Sequence, residues 1–425
     1  MSYRQAKRRK IKRSKSLYGN RRKEKRNHVV ALVVTLFAAA GLVFFGYSIG
    51  KPILDYINND EYNKATEGTA WAPPAETTLP EETTSVTTPA KNTATLSKFG
   101  AYELESYNLT SLEALEMAVT KAKSEGYTAI CVPLKERGGH IYYDTKAEIA
   151  VNGEGIILST LSAKTIATKI QEHDMLAIAK VSALYDNVAP FSEKEAGYLF
   201  EGQISSWYDN SVDQGGKPWL SPFSEHTKTY MTQLVGEVDT AGFDAIICAD
   251  VVFPMLRNSD IEYIGEIVRS PERYKALLDI VAIFETAETD LMLEVSAAKI
   301  LTGTEEVFRL DEISEETQIV VEMNYADLIG TVVINGEEAN LSGMSVYDRT
   351  TTVLGEISRR CGDRKIIPHI NTTGISEVQL EEARRAIREM KFDSTVYDGA
   401  YMTPAATTAP EETPADTTAD TTVTP

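Results

Sequence analysis

Short apolar segments alternate with segments of helical periodicity between residues 98 and 402. The apolar segments are nearly continuous, as in Thr128–Leu134 (TAICVPL), which indicates parallel strands that are buried on both faces. The predicted strands are Gly100–Glu103, Thr128–Leu134, Met175–Ser182, Ala245–Phe253, Leu291–Ala297, one of Gln318–Met323 and Thr331–Asn335, Lys365–Ile370 and Ser394–Tyr397.

The segments between these strands predict helices, and Ser162 is a plausible N-cap for one of them. About eight strand–helix repeats favour a closed (β/α)8 TIM-like barrel over an open, doubly wound sheet. No G-x-G-x-x-G sequence follows the first strand, which argues against a dinucleotide-binding fold. The predicted helices are Ser111–Ser124, Ser162–His173, Glu225–Thr240, Pro271–Glu288, Val346–Arg360 and Glu377–Met390.

The segment Val29–Ile49 contains no charged residue and is long enough to span the roughly 30 Å hydrocarbon core of a bilayer as a helix. A cleaved signal peptide would have a shorter apolar region with a small-residue cleavage site directly after it. A helix buried in a protein core rarely runs this long without a polar face. We therefore predict one transmembrane helix that contacts membrane lipid.

Charge gives the predicted orientation of this helix. Residues 1–28 hold thirteen Lys and Arg residues against Glu24 alone, whereas the whole chain has a net charge of −19. A basic flank stays on the cytoplasmic side, so residues 1–28 are predicted to be a cytoplasmic tail and the acidic remainder to be extracellular. Topology and attraction to anionic lipid explain this basic tail, and no nucleic-acid partner is predicted.

Two segments rich in Thr, Pro, Ala and Glu flank the predicted barrel. Residues 50–97 and residues 403–425 contain too few large apolar side chains to offset the entropy of ordering them. They are predicted to be an extracellular stalk and a disordered tail. Residues 98–402 between them are predicted to form one glycoside-hydrolase-like barrel domain.

The cysteine and histidine residues predict neither a disulfide framework nor a cofactor. Cys131, Cys248 and Cys361 are odd in number, lack zinc-site spacing and lie mostly in apolar segments, so they are predicted to be buried thiols. The five histidines are scattered, without an HExxH motif. No metal and no cofactor are predicted, and the oligomeric state is left open.

In a (β/α)8 barrel the active site is built from the carboxyl ends of the strands. A glycosidase needs two carboxyl groups, about 5 Å apart for retention or about 6.5–9.5 Å apart for inversion. Asp250 and Glu294, on neighbouring predicted strands, form the best-placed pair. The further strand-end candidates for substrate binding are Lys135, Lys180, Glu322, Asn324, His369, Asn371 and Asp398, with Glu136, Arg137, Asp186 and Tyr397 beside them.

A long insert, Leu184–Phe223, contains eight aromatic residues, among them Trp207 and Trp219. Aromatic side chains above an active site stack on sugar rings. They also form the small core that a loop of this length needs. Both interpretations stand, and Trp207 and Trp219 are the candidates for sugar binding.

Several segments resemble one known family. Ala129–Tyr143 (AICVPLKERGGHIYY), Trp219–Pro222 (WLSP) and Ala241–Pro254 (AGFDAIICADVVFP) are similar to segments of the DUF4015 family, a glycoside-hydrolase-like barrel domain. The last of these corresponds to a G-F-D-x-I-x-F-D-Y-V-R-F-P pattern of the family. The resemblance covers Lys98–Tyr401 and implies a membrane-anchored or secreted bacterial protein that acts on a glycan.

This chain departs from the family pattern at the second, fourth and fifth strands, and in the fifth strand Glu294 stands where the family usually has Asp. The family's fourth-strand Asp falls on Ala249, and the acidic residue stands one place later, at Asp250. A step of one residue turns a strand side chain to the other face. The family's first Asp of the second strand falls on Pro133, whereas Lys135 is kept.

The sequence thus predicts a membrane-anchored, extracellular glycoside-hydrolase-like barrel that acts on or binds a cell-surface polysaccharide or a peptidoglycan-type glycan. As an enzyme it would use Glu294 as general acid/base and Asp250 as the partner carboxylate. The alternative is a catalytically inactive barrel that binds carbohydrate or serves as an envelope scaffold.

Overall fold

The structure is a computed structural model that describes residue 96 and residues 98–398, apart from residues 271 and 304–311. The predicted cytoplasmic tail, the membrane segment Val29–Ile49 and the C-terminal tail lie outside the described residues, as does the predicted stalk except for Leu96. Within the described part, no helix combines the length and apolar character that crossing a membrane requires.

Eight parallel strands close into a barrel, which confirms the predicted fold class. The barrel strands are β1 Gly100–Glu103, β2 Ala129–Lys135, β3 Leu176–Ser182, β4 Ala245–Ala249, β5 Asp290–Ser296, β6 Gln318–Asn324, β9 Ile366–Asn371 and β10 Thr395–Asp398, and an antiparallel hairpin is formed by β7 Thr331–Ile334 and β8 Glu337–Asn340. The strand order around the barrel is β1-β10-β9-β6-β5-β4-β3-β2.

Helices follow most of the strands. Serine side chains accept a hydrogen bond from the first turn of five of them, which satisfies backbone N–H groups that would otherwise lack partners. Ser162 is one of these caps, as predicted. The helices are α1 Leu112–Ser124, α2 Glu148–Asn152, α3 Ala163–Gln171, α4 Ala189–Ser192, α5 Glu225–Ala241, α6 Asn258–Ile264, α7 Glu266–Arg269, α8 Tyr274–Glu285, α9 Ala297–Thr302, α10 Val346–Cys361 and α11 Glu377–Met390.

The structure decides between the two candidates for the sixth barrel strand. Gln318–Asn324 pairs with β5 and β9, whereas Thr331–Ile334 forms the hairpin with β8. Asn335 and Gly336 join the two hairpin strands with positive φ angles of 52° and 84°. That geometry is typical of the Asn-Gly turn that suits a two-residue hairpin loop.

The barrel interior is filled by layers of side chains from alternate strands. One buried layer consists of Ala101, Ile178, Met292 and Ile367, from β1, β3, β5 and β9. The other four strands contribute the neighbouring layer of Cys131, Ile247, Val320 and Val396. Cys131, Cys248 and Cys361 are free and buried, as predicted. Because these layers are apolar, the polar positions of the barrel lie two residues later, at the carboxyl ends of the strands.

Candidate active site

A cavity of about 270 Å³ opens at the carboxyl ends of the barrel strands. Its lining includes ten residues of the predicted sites and their neighbours: Lys135, Glu136, Arg137, Lys180, Asp250, Glu294, Glu322, His369, Asn371 and Asp398. Glu103 of β1 lines the cavity as well, so residues of all eight strands or of the loops that follow them meet at one place. This is the position at which TIM barrels carry their active sites.

The floor of the cavity is a closed ring of alternating charges, which we call the ionic quartet: Glu103, Lys180, Glu294 and His369. Lys180 Nζ lies 3.1 Å from Glu103 Oε2 and 3.0 Å from Glu294 Oε2. His369 Nδ1 lies 2.7 Å from Glu294 Oε2, and His369 Nε2 lies 3.2 Å from Glu103 Oε2. This last contact lacks the alignment of a hydrogen bond.

The quartet follows from the strand pattern. Its members lie on β1, β3, β5 and β9, each two residues after a member of the apolar layer that includes Ala101. Side chains two residues apart in a strand share a face, so all four point into the barrel. The quartet is thus one barrel layer in which charged side chains replace apolar ones.

The electrostatics of the quartet keep Glu294 ionised. Burial raises the pKa of the Glu294 carboxyl, but Lys180 and His369 outweigh burial and hold that pKa well below its usual value. Burial and Lys180 lower the pKa of His369, whereas Glu103 and Glu294 outweigh them and raise it above 6.5. A carboxyl group with a lowered pKa is a poor proton donor, which argues against the predicted role of Glu294 as general acid.

A second charged group lies at the cavity opening, and we call it the rim triad: Arg137, Asp250 and Glu322. Arg137 Nη2 lies 2.7 Å from Asp250 Oδ1 and 3.5 Å from Glu322 Oε2. These two carboxylate oxygens are therefore closer together than the roughly 6.5–9.5 Å of an inverting pair. Ser182 Oγ donates to the other oxygen of Asp250 at 2.7 Å, and Asn371 Nδ2 donates to Glu322 at 3.4 Å.

The end of β4 explains how Asp250 reaches the cavity. The strand was predicted to continue to Phe253, but it ends at Ala249, and Asp250 has a left-handed φ of 54°. Ala249 occupies the inward strand position, and the change of backbone direction brings the Asp250 side chain to the same cavity. The one-residue displacement in the sequence therefore leaves a carboxylate at the barrel mouth. Short polar residues such as Asp tolerate this backbone conformation better than most.

Lys135 lines the cavity, but its charge is already paired. Its Nζ lies 3.0 Å from Asp186 Oδ2 and donates to the Ser182 carbonyl oxygen at 2.7 Å, and the residue is 1% exposed. Gly139 packs so closely against Asp186 that a Cβ atom there would clash with the carboxylate. We therefore assign Lys135 to the support of the site rather than to contact with a ligand.

Asp398 and Glu105 differ from the other carboxyl groups of the cavity because neither makes an ion pair within the described ranges. Asp398 accepts a hydrogen bond of 2.7 Å from the Thr372 backbone N–H. Burial raises the pKa of Asp398, although Thr372 opposes part of this effect. Burial, Asp398 and Glu103 raise the pKa of Glu105. Both groups are thus better proton donors near neutral pH than ordinary carboxyl groups.

Two predicted sugar-binding residues lie elsewhere. Trp207 is 2% exposed and packs edge-on against Tyr198 in the core of the insert, so its ring has no face free for a sugar. Asn324 donates to Asp327 at 2.8 Å and accepts from the Ala326 backbone N–H, which closes the turn after β6. Both predictions are corrected: local packing and local hydrogen bonding use these side chains.

Trp219 is half-buried and stacks on Tyr185, with ring centroids 4.2 Å apart and an angle of 6° between the planes. The Arg137 guanidinium lies over the other ring of this pair, 5.8 Å from the Tyr185 centroid. The stack therefore connects the insert to the rim triad. It supplies an aromatic surface beside the cavity rather than within its lining.

Sequence reasoning missed three contributors to the site: Glu103, Glu105 and Ser182. Glu103 is the last residue of β1, so the rule that singled out the other strand ends also applied to it. Ser182 is the last residue of β3 and hydrogen-bonds to Asp250. Glu105 lies beyond the end of β1, and nothing in its sequence surroundings signals that it lines the cavity.

A possible set of metal ligands lies outside the cavity. Glu193, Glu195 and His226 bring their ligand atoms within 4.8 Å of one another at the surface, and within the residues described here they are the one such group of three. Their exposed carboxylates are already close to the histidine, with Glu195 Oε2 3.1 Å from His226 Nε2. The cavity residues instead form ion pairs with one another.

The sequence of residues 102–386 matches the profile of DUF4015, described as "Putative glycosyl hydrolase domain". This match covers more than half of the chain. No curated protein is significantly similar to the chain.

Several solved structures are similar to the chain. A hypothetical protein from Ruminiclostridium thermocellum is 18% identical, with 45% of this chain and 96% of that chain covered and a TM-score of 0.38. A GH20 exo-β-N-acetylglucosaminidase from Vibrio harveyi is 10% identical, with 72% and 50% covered and a TM-score of 0.42. Eubacterium rectale Amy13B is 13% identical, with 71% and 65% covered and a TM-score of 0.44. The chain thus spans half of the Vibrio harveyi protein, and similarity at this level assigns it no substrate.

Proposed function

Because the chain belongs to the DUF4015 family of glycosyl-hydrolase-like domains, we propose that its barrel mouth binds a glycan and hydrolyses a glycosidic bond. The observation that carries this proposal is the meeting of two kinds of carboxyl group in one cavity. Asp250 is paired with a cation, whereas Asp398 has a raised pKa and no ion pair among the described residues. Two carboxyl groups in such different environments are what acid and base roles require.

Asp398 is the proposed general acid, the role that the sequence analysis predicted for Glu294. Asp250 is the proposed nucleophile or base. Asp398 is the last residue of β10, and Asp250 directly follows β4. These strands lie four apart in a ring of eight, so the two residues face each other across the cavity. A sugar bound between them would have one carboxyl group on each side of its glycosidic bond.

The proposed role of Arg137 is to hold Asp250 in position. It donates to Asp250 Oδ1 from Nε at 2.9 Å and from Nη2 at 2.7 Å, while Ser182 holds the other carboxylate oxygen. A carboxylate fixed by three donors is well oriented, which lowers the entropic cost of reaching the transition state. The aromatic stack of Tyr185 and Trp219 is the proposed surface for the next sugar of the chain.

The same three donors favour a second candidate, a barrel that binds glycan without cleaving it. A carboxylate whose lone pairs are engaged is a weaker nucleophile, and Glu294 is engaged in the quartet as well. In this alternative the mouth retains the sugar-binding surface of a glycosidase and has lost its chemistry.

The location is also a proposal and rests on the sequence. The apolar segment Val29–Ile49 and the basic residues before it support an anchor whose N-terminus is cytoplasmic, with the barrel at the cell surface. The glycan within reach of such a barrel is a cell-surface polysaccharide or a peptidoglycan-type polymer.

The proposal is tested with the full-length protein in detergent, assayed for binding and for release of reducing ends on a panel of cell-wall and surface polysaccharides. Asp250→Asn and Asp398→Asn are compared with Asp363→Asn, an exposed residue between α10 and β9 at the opposite end of the barrel. Turnover in the parent protein and in Asp363→Asn, lost in the two mouth variants, supports the hydrolase. Binding without turnover in the parent protein supports the second candidate, and the absence of both rejects the glycan site.

A further inference from the structure

A second pocket lies beside the active-site cavity at the carboxyl ends of β6 and β9, and we call it the side pocket. Its volume of about 360 Å³ is sufficient for a small ligand group. Asn371 lines the active-site cavity, and three residues later in the chain Gly374 lines the side pocket. Its walls are the turns after these two strands and the beginnings of α10 and α11, and they include Tyr325, Val346, Arg349, Gly374, Ile375 and Glu382.

Arg349 is the one cation among the residues that line this pocket, and its charge has no anionic partner. Two N–H groups of its guanidinium donate to backbone carbonyl oxygens, that of Tyr325 at 3.1 Å and that of Met344 at 3.3 Å. Its Nε–H is buried without an acceptor, and no carboxylate of the described residues forms an ion pair with it. This half-buried guanidinium therefore has donors left for an anion, and a carboxylate matches their geometry.

Glu382 is the one carboxylate in the same lining. Its side chain is half-buried and takes part in no ion pair or hydrogen bond within the described part of the chain. Arg349 and Glu382 thus border one pocket from different helices without pairing with each other. A charge that is partly removed from water and left unpaired costs free energy. The pocket therefore offers one place for an anion and another for a cation.

A ligand that carries both charges satisfies the two residues together. A purely anionic ligand would be attracted by Arg349 and repelled by Glu382, and a purely cationic ligand would meet the reverse. The beginning of α10 favours a carboxylate as well, because Val346 lies in its first turn, at the positive end of the helix dipole. The buried side chains of Tyr325 and Ile375 supply apolar contacts for a carbon chain.

We propose that the side pocket binds an α-amino-acid group, in which a carboxylate and an ammonium group share one carbon atom, and that the peptide stem of a peptidoglycan-type glycan carries this group. Arg349 binds the carboxylate and Glu382 binds the ammonium group. The sugar lies in the active-site cavity, and its stem reaches the side pocket beside it. This inference rests on the proposed glycan-binding function and chooses between the polymers that it leaves open, because a polysaccharide of sugars alone has no amino-acid group.

The charge preference is tested by isothermal titration of the full-length protein in detergent with three compounds. These are diaminopimelic acid, pimelic acid, which lacks its amines, and 1,5-diaminopentane, which lacks its carboxylates. We expect diaminopimelic acid to bind at least about tenfold more tightly than the other two, because it alone pairs with both Arg349 and Glu382. Equal or tighter binding of either other compound, or no binding of diaminopimelic acid, overturns the proposal.

Two variants assign the charges. Arg349→Gln and Glu382→Gln should each weaken the binding of diaminopimelic acid about tenfold, and Glu382→Gln should also remove its advantage over pimelic acid, since the repelling carboxylate is gone. Glu382 has no hydrogen bond within the described residues to lose, so this variant should unfold like the parent protein. Glu381→Gln and Arg385→Gln, at exposed neighbouring positions on α11, are the controls. Unchanged affinity in both pocket variants overturns the assignment.

The source of the amino-acid group is tested with a peptidoglycan disaccharide whose stem ends in diaminopimelic acid and with the same disaccharide without a stem. We expect the stem to tighten binding about tenfold in the parent protein, and Glu382→Gln to remove this gain without changing the affinity for the bare disaccharide. Equal affinity for the two disaccharides overturns the assignment to a stem and leaves the proposed glycan site standing. Binding of diaminopimelic acid without binding of either disaccharide overturns both.

Discussion

The ionic quartet and the rim triad lie in the same barrel mouth but differ in how their charges are satisfied. In the quartet, Glu294 is 7% exposed and contacts two cationic partners within 3.0 Å. In the rim triad, Arg137 retains 47% of its side-chain exposure and serves two carboxylates at once. The inner group is thus closed on itself, while the outer group remains open to a ligand.

This difference separates stability from chemistry within one site. A closed ring of buried charges is costly to break, because removing one member leaves the others buried without a partner. It gives the cavity a rigid floor. The partly exposed rim triad, by contrast, can exchange its internal contacts for contacts with a sugar. Both groups lie at strand ends, so a position at a strand end does not by itself make a carboxylate catalytic.

The largest expected effect comes from breaking the quartet. Glu294→Gln leaves Lys180 and His369 with one carboxylate between them, and we expect the free energy of unfolding to fall by about 3–5 kcal/mol. Asp250→Asn, which keeps the shape of a rim-triad residue, should lower it by about 1 kcal/mol. Urea unfolding of the two variants makes the comparison. Equal losses of unfolding free energy in the two variants would contradict this prediction, because they would mean that the quartet and the rim triad stabilise the fold equally.

The sequence predicted the ionic quartet and the rim triad to different extents. The strand–helix alternation predicted the barrel, and the strand ends predicted Lys180, Glu294 and His369, because a parallel strand directs alternate residues into the barrel. Their mutual pairing was not predictable, since it depends on which strands are alternate in the closed ring.

The rim triad was harder to predict because it depends on backbone geometry beyond the strands. Asp250 enters the cavity through a left-handed residue after the early end of β4, and no local pattern signals that end. Trp207 shows the opposite error: its residue type suggested sugar binding, whereas packing against Tyr198 buries it in the core of the insert.

A smaller effect should appear in the pH dependence of stability. The pKa of His369 is raised above 6.5 in the folded protein, so its contribution is fully present below about pH 6.5 and is lost as the pH rises through the folded pKa. The pKa of Glu294 is lowered from 4.5, so its contribution is present above about pH 4.5 and is lost only as the pH falls through the folded value.

We therefore expect the stability of the parent protein to decline as the pH rises above about 6.5. This decline should be absent or weaker in His369→Gln. His226→Gln is the control, because His226 lies at the surface outside the quartet. Thermal unfolding of the three proteins, measured from pH 6.5 upwards, tests this prediction. An identical decline in His369→Gln would show that the quartet does not depend on a protonated histidine.

The assignment of acid chemistry to Asp398 is tested most directly by the leaving group. A general acid is needed for a natural sugar leaving group but not for a dinitrophenyl group, which departs without a proton. For Asp398→Asn we predict a loss of about 10²- to 10⁴-fold in kcat/KM on an oligosaccharide and near-normal kcat/KM on the dinitrophenyl glycoside of the same sugar, because kcat/KM reports the step in which the leaving group departs. Equal losses on both substrates, or normal turnover of both, would contradict the assignment.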